Sequence, residues 1–232
     1  MTEENGRSPW SWVAWGCGGC LALSGLVIAV LSVGGYMAYR TFQREMRDPT
    51  ARTEKAKRLL GTDSLPEGYL AVVTLSVPFL FDTVILADEP LDEDGELAES
   101  TERLFIYVDA IRGDRNWQRY TSGEADPSEI LQGQGIRLRG REEIGGGELK
   151  LDGCRIDHVS HRGNLIVQHR AFDGITTFLL IRCEGDTKLR VGVWINPDPL
   201  AETPVAEADF AGTNADPAEI RSFVSLFDFC SG

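Results

Sequence analysis

The sequence predicts an α+β fold, a mainly antiparallel sheet with a C-terminal packing helix, preceded by one N-terminal transmembrane helix. An uncharged apolar segment lies near the N-terminus, and runs rich in β-branched and aromatic residues recur between positions 69 and 195. Near the end of the sequence, Ile220, Phe223, Val224 and Phe227 follow the i, i+3, i+4 and i+7 spacing of a helix. Such a stripe is typical of a helix that covers one face of a sheet.

Composition divides the 232-residue chain into four segments: a tail (1–12), a transmembrane helix (13–39), a basic juxtamembrane helix and linker (40–61), and an acidic α+β domain (62–232). With 42% hydrophobic and 25% charged residues, the chain is typical of a folded protein. Residues 1–61 carry eight basic and five acidic side chains, whereas the remainder carries 15 basic and 31 acidic ones. A domain so negative repels phosphate backbones, so we expect no nucleic-acid partner.

The predicted anchor makes the lipid bilayer the first expected partner. No residue between Arg7 and Arg40 is charged, and about 20 residues of helix cross a hydrocarbon core of about 30 Å. Aromatic side chains of the kind that settle at membrane interfaces flank the segment: Trp10, Trp12, Trp15, Tyr36 and Tyr39. The balanced charge of the first seven residues is not typical of a cleaved signal peptide, so we expect the helix to be retained.

The distribution of basic residues predicts an orientation. Only Arg7 precedes the apolar segment, whereas a basic cluster follows it: Arg40, Arg44, Arg47, Arg52, Lys55, Lys57 and Arg58. Because basic flanks stay on the cytoplasmic side, this cluster predicts a single-pass membrane protein with its C-terminal domain in the cytoplasm.

Small residues on the anchor predict that it self-associates. They recur at four-residue steps on two faces, one formed by Gly16, Cys20 and Ser24 and the other by Gly18 and Ala22. Such faces let a second helix approach closely, which suggests a homo-oligomer, although small residues are also common in membrane helices generally. Cys17 and Cys20 form a CxxC pattern, which in this setting we interpret as packing or acylation rather than a redox pair.

Local signals place the helices and strands. Asp48-Pro49 starts a helix that Gly61 ends, and two further Asp-Pro pairs, at Asp126 and Asp216, start helices in the same way. Strands are expected over 69–77, 79–87, 103–112, 153–161, 164–172, 176–183 and 188–195, with a hairpin turn at Gly163-Asn164. The shared Asp-Pro starts, with Gly68 and Gly163 taken as openings of equivalent strand pairs, suggest a duplicated βββα unit, which convergent capping would also explain.

The three histidines, His158, His161 and His169, fall within that predicted hairpin. With the turn at Gly163-Asn164, His158 and His169 would face each other and His161 would point away, which gives a weak candidate metal site. This hairpin carries the alternative function, a metal-dependent hydrolase. Exposed strand histidines are the simpler interpretation, so no metal, cofactor or catalytic residue is assigned.

Other candidate motifs have ordinary interpretations. The acidic run 92–96 lacks calcium-loop spacing and is interpreted as a solvated hairpin loop. Gly145-Gly146-Gly147 has no phosphate-binding context and is interpreted as a flexible connection. Among Cys154, Cys183 and Cys230 at most one disulfide can form, and we expect buried thiols instead. The expected function is therefore a non-catalytic binding, scaffold or sensory domain at the membrane, with an unknown protein or small-ligand partner.

Overall fold

The computed structural model describes residues 48–231 except positions 78–79, 111–135, 152, 168–169 and 187. The chain divides into two units after Arg47, and the described part belongs to the second unit. The predicted transmembrane helix (13–39) and the predicted helix start at Asp126 lie outside the described residues. Within the described part, no helix is long and apolar enough to cross a membrane.

Seven antiparallel strands form one sheet in the described part of the chain. They are β1 (Leu70–Val77), β2 (Phe81–Ala87), β3 (Leu104–Ala110), β4 (Ile136–Leu151), β5 (Cys154–Val167), β6 (Arg170–Cys183) and β7 (Leu189–Asn196). Two helices, α1 (Pro49–Leu60) and α2 (Pro217–Val224), and a 3-10 turn at Val205–Glu207 complete the described elements. The predicted α+β class, with its antiparallel sheet and C-terminal helix, is confirmed.

The strand order β1-β2-β3-β7-β6-β5-β4 places the last strands of two meanders side by side at the centre of the sheet. β3 pairs with β7 in antiparallel register, with Phe105 opposite Trp194 and Tyr107 opposite Gly192. The two edges are therefore β1 and β4. The sheet has two buried faces, and each carries its own apolar cluster.

Both helices belong to the cluster on one face, which we call the helical face. Phe223 of α2 stacks on Trp194 with ring centroids 4.0 Å apart and meets Phe105 edge-on at 5.0 Å. Beyond the helix, Phe227 stacks on Phe105 and Phe229 on Tyr107. The predicted stripe is confirmed as buried, although its last member, Phe227, follows the end of α2 at Val224.

The predicted helix α1 is confirmed from its first residue to its last. The Asp48 carboxylate accepts hydrogen bonds from the amides of Thr50 and Ala51. Pro49 occupies the first helical position, where a backbone N–H would have no acceptor within the helix. Arg52 is buried and donates from Nε to the carbonyl of Ala71 at 2.6 Å, beside a bulge in β1. α1 is therefore packed on the sheet as part of the domain.

Gly61 ends α1 in the left-handed conformation, with φ of +63°. A Cβ at this position would lie 2.2 Å from the carbonyl oxygen of Asp228. The amide of Asp228 in turn donates to the carbonyls of Leu60 and Gly61 at 3.1 and 3.2 Å. The end of α1 and the segment after α2 are thus held in direct backbone contact.

The turn predicted at Gly163-Asn164 is wrong. Strand β5 continues through both residues to Val167, which pairs with Arg170 of β6, and Gly163 lies opposite Gly174 inside the ladder. Gly163 therefore does not open a strand pair as Gly68 does, and that part of the proposed repeat is also wrong. The interpretation of Gly145-Gly146-Gly147 as a flexible connection fails as well, because these residues pair with β5 inside strand β4.

The expectation of buried thiols is wrong for two of the three cysteines of the domain, although the limit of one disulfide holds. Cys183 at the end of β6 forms a disulfide with Cys230, and their Cα atoms are 5.6 Å apart. Cys154 is a free thiol. The acidic run 92–96 forms the expected exposed loop, in which the Asp92 carboxylate accepts hydrogen bonds from the amides of Asp94 and Glu96.

Candidate ligand-binding cleft

A polar cleft lies at one end of the sheet, where strands β4, β5 and β6 meet the loop that follows β7. Its volume is about 500 Å³, within the range of ligand pockets. It is lined by Arg139, Gly140, Arg162, Gly163, Asn164, Asp173, Gly174, Pro197, Asp198 and Ala201. The charged side chains among these are two arginines and two aspartates, so the lining is neutral although the domain is strongly acidic.

Arg162 organises the wall of the cleft. Its Nε lies 2.5 Å from a carboxylate oxygen of Asp198, and the Asp198 side chain is only 4% exposed. The guanidinium also donates to the carbonyl of Leu200 at 2.9 Å and to that of Thr203, and it lies over the ring of Phe210 at 5.2 Å. Arg162 therefore holds the loop after β7 against the sheet.

The floor of the cleft is a row of three side chains on adjacent strands, Arg139, Asn164 and Asp173, which we call the polar row. Arg139 of β4 lies opposite Asn164 of β5, which lies opposite Asp173 of β6. The Asn164 amide nitrogen donates to one carboxylate oxygen of Asp173 at 2.7 Å. Arg139 is exposed and has no ion-pair partner in the described part of the chain.

Glycines keep the backbone close around this row. A Cβ on Gly174 would lie 2.2 Å from the carbonyl oxygen of Asn196, so only glycine lets β6 approach the end of β7 here. Gly140 adopts a φ of +58°, within an irregular stretch of β4 between Arg139 and Glu142. These features fix the floor on paired strands, and binding groups on such a scaffold are held more precisely than groups on loops.

The cleft offers two charged groups that a ligand can reach. Arg162 and Asp198 neutralise each other, whereas Arg139 at one end of the row and the second oxygen of Asp173 at the other are available to a ligand. Among the described residues that line the cleft there is no histidine, cysteine, serine or lysine. The cleft therefore presents one guanidinium and one carboxylate at opposite ends of a floor built on paired strands.

The described histidines of the predicted metal site, His158 and His161, do not line the cleft. His158 lies on the helical face, buried opposite Leu179, and burial lowers its pKa, against a smaller raising effect of Asp157. His161 is buried on the other face, edge-on to Phe178, so the interpretation of the histidines as exposed strand residues is wrong for both that the structure describes. The predicted facing pair of His158 and His169 depended on the turn at Gly163-Asn164, and His169 lies outside the described residues. No group of three histidine, cysteine, aspartate or glutamate side chains suited to a metal occurs in the described part of the chain.

The cleft residues were not singled out from the sequence. Arg162 and Asp198 meet only because β5, β6 and β7 are neighbours, and nothing local to either residue indicates this. One signal was present, since Arg162 and Asn164 occupy alternate positions of one strand and so share a face. The turn-like composition of Gly163-Asn164 concealed it.

A comparison with protein-family models gives no match, and comparisons with curated proteins and with solved structures give none either.

Proposed function

We propose that this chain is a single-pass membrane protein whose α+β domain binds a short zwitterionic peptide in the cleft. The observation that carries the proposal is the polar row, which offers a free guanidinium at one end and a carboxylate at the other. A peptide with free termini carries the complementary charges, a carboxylate for Arg139 and an ammonium for Asp173. Binding without covalent chemistry agrees with the non-catalytic function predicted from the sequence.

The spacing of the row supports a ligand of two or three residues. Arg139 and Asp173 lie two strands apart, which corresponds to about 10 Å between backbones. Each residue of an extended peptide spans about 3.3–3.6 Å, so two or three residues reach across the row. A singly charged cation would gain little there, because the exposed guanidinium of Arg139 repels it.

The test uses the full chain in detergent and tri-alanine with free termini as the probe. Calorimetry should detect binding of tri-alanine and none of its acetylated, amidated form. Arg139→Gln and Asp173→Asn should each weaken binding by about 10- to 100-fold, because each removes a charge-assisted hydrogen bond of about 1.5–3 kcal/mol.

Lys150→Gln is the matched control, because it removes the same charge as Arg139→Gln from the same strand but outside the cleft. It should leave the affinity unchanged. Equal affinity for the free and the blocked peptide would refute the proposed ligand class, and equal effects of Arg139→Gln and Lys150→Gln would refute the site.

We further propose that the domain lies outside the cytoplasm, against the orientation predicted from the basic cluster. The Cys183–Cys230 disulfide supports this, because disulfides persist in oxidising compartments and are rare in reducing ones. Labelling of intact cells with a membrane-impermeant reagent should modify the domain, and protection until the cells are lysed would restore the cytoplasmic assignment.

The strand order supports the proposed internal duplication. Strands β1–β3 and β5–β7 are both three-stranded meanders, and their last strands, β3 and β7, form the central pair. A duplicated βββα unit would generate these two meanders, with α2 as the helix of the second copy and β4 outside the repeat. Superposing β1–β3 on β5–β7 tests it, and the absence of a common register would count against duplication.

A further inference from the structure

The three cysteines of the domain are gathered at one end of the sheet. Cys154 begins β5 and lies directly opposite Cys183, the last residue of β6, and Cys183 is bonded to Cys230. Cys154 and Cys183 both border the apolar cluster of the helical face. A free thiol therefore lies beside a disulfide on the same face of adjacent strands.

The backbone pairing fixes how close the two strand cysteines are. The amide of Glu184 donates to the carbonyl of Gly153 at 3.1 Å, so Gly153 and Glu184 form a hydrogen-bonded pair of the ladder. The next pair along the two strands is Cys154 and Cys183. Cys154 and Cys183 are then a non-hydrogen-bonded pair, in which Cα atoms lie about 4.5 Å apart and side chains approach most closely. Disulfides accept Cα separations of about 4.4–6.8 Å, so a Cys154–Cys183 bond fits without rearrangement of the strands.

We propose that Cys154 exchanges with the Cys183–Cys230 disulfide, so that the domain has two disulfide isomers. The Cys154 thiolate attacks Sγ of Cys183, the Cys154–Cys183 bond forms, and the Cys183–Cys230 bond breaks. Cys230 leaves as a thiolate and takes up the proton that Cys154 lost. Atoms and electrons balance within the chain, so the step needs no oxidant or reductant.

The geometry also indicates which isomer dominates. The Cα separation of Cys183 and Cys230, 5.6 Å, lies at the most common value for disulfides, whereas a Cys154–Cys183 bond would lie at the short end of the range. Burial raises the pKa of the Cys154 thiol, with Arg190 lowering it and Asp228 raising it to smaller extents. The observed isomer is therefore the resting one, and exchange is slow near neutral pH because little thiolate is present.

Exchange would change how the end of the chain is held. In the resting isomer Cys230 ties the segment after α2 to β6, and the same segment carries Phe229 against Tyr107 and the amide of Asp228 against the end of α1. The second isomer keeps β5 and β6 bonded to each other but leaves this segment held by those non-covalent contacts alone. Disulfide exchange therefore determines whether the C-terminal segment is held to β6 by a covalent bond.

The experiment uses the full chain in detergent with Cys17→Ser and Cys20→Ser, which leaves only the three cysteines of the domain. Samples are held under argon at pH 7, 8 and 9, quenched with acid, alkylated and mapped by mass spectrometry. We expect a Cys154–Cys183 cross-linked peptide together with alkylated Cys230. Its rate of appearance should rise about tenfold per pH unit while Cys154 is mostly protonated, because the thiolate is the attacking species.

Two variants sharpen the result. Cys154→Ser should keep the Cys183–Cys230 bond and never yield alkylated Cys230. Cys230→Ser should form the Cys154–Cys183 bond in a glutathione buffer. Absence of the cross-linked peptide from the parent protein at pH 9 overturns the proposal, whatever the variants do, and so does alkylation of Cys230 at an equal rate in Cys154→Ser.

Discussion

Replacing Arg162 should test whether the wall of the cleft depends on one buried ion pair. The change Arg162→Met keeps the length of the side chain and removes its charge. Asp198 would then be left with its side chain 4% exposed and without its cation. The two carbonyls at Leu200 and Thr203 would also lose their donors.

The structure gives the expected magnitude. Removing one partner of a buried ion pair destabilises a protein by about 3–5 kcal/mol, because the remaining charge stays buried. For a domain of this size each kcal/mol lowers the melting temperature by about 2–4 °C, so Arg162→Met should lower it by roughly 6–20 °C. Calorimetry or circular dichroism of the purified protein measures this shift.

Arg155 supplies the matched control. It lies on the same strand and pairs with Glu148 at 2.7 Å, but its side chain is 51% exposed. An exposed ion pair contributes only about 0–1 kcal/mol, so Arg155→Met should lower the melting temperature by no more than a few degrees.

The double variant Arg162→Met/Asp198→Leu should recover part of the loss, since no buried charge then remains unpaired. Equal destabilisation by Arg162→Met and Arg155→Met would show that the Arg162–Asp198 pair does not organise the loop after β7.

Three further predictions follow from the backbone, from burial and from the predicted anchor. Gly61→Ala should destabilise the domain by about 1–3 kcal/mol more than Gly95→Ala in a denaturant titration, because both glycines have positive φ but only Gly61 meets a neighbouring carbonyl. Burial lowers the pKa of His158 below its ordinary 6.5, so its contribution to stability is complete above that pH and is lost as the pH falls toward the lowered value. His158→Gln should therefore reduce the fall in melting temperature between pH 7 and pH 5, and an unchanged slope would contradict this. Replacing Gly16 and Gly18 by isoleucine should abolish self-association in a membrane two-hybrid assay, and an unchanged signal would remove the predicted helix contact.

Features set by neighbouring residues were predictable from the sequence. Asp48, Pro49 and Gly61 determine α1 through capping and turn preferences that act within one helical turn, so both of its ends were located correctly. The apolar stripe of α2 was equally local. The predicted membrane anchor depends on the same kind of local signal and stays a prediction, because it lies outside the described residues.

Features set by distant pairing were not predictable. Gly163-Asn164 has the composition of a turn, but Gly163 lies opposite Gly174 in a long ladder, and that pairing overrides the local preference. The disulfide was missed for a related reason, since Cys183 and Cys230 are 47 positions apart in sequence. The cleft needs three strands and a loop to be in place before any of its charges come together.

The central pairing of β3 with β7 has a kinetic consequence. Phe105 and Trp194 lie far apart in the sequence, yet they face each other in the middle of the sheet. Closing so large a loop is entropically unfavourable, and contacts between β3 and β7 offset this cost only when the whole interface has formed. Such behaviour is typical of slow, highly cooperative folding. Until that moment each meander exposes an unpaired strand that can join another chain, so the nascent protein is most vulnerable to aggregation just before its two halves meet.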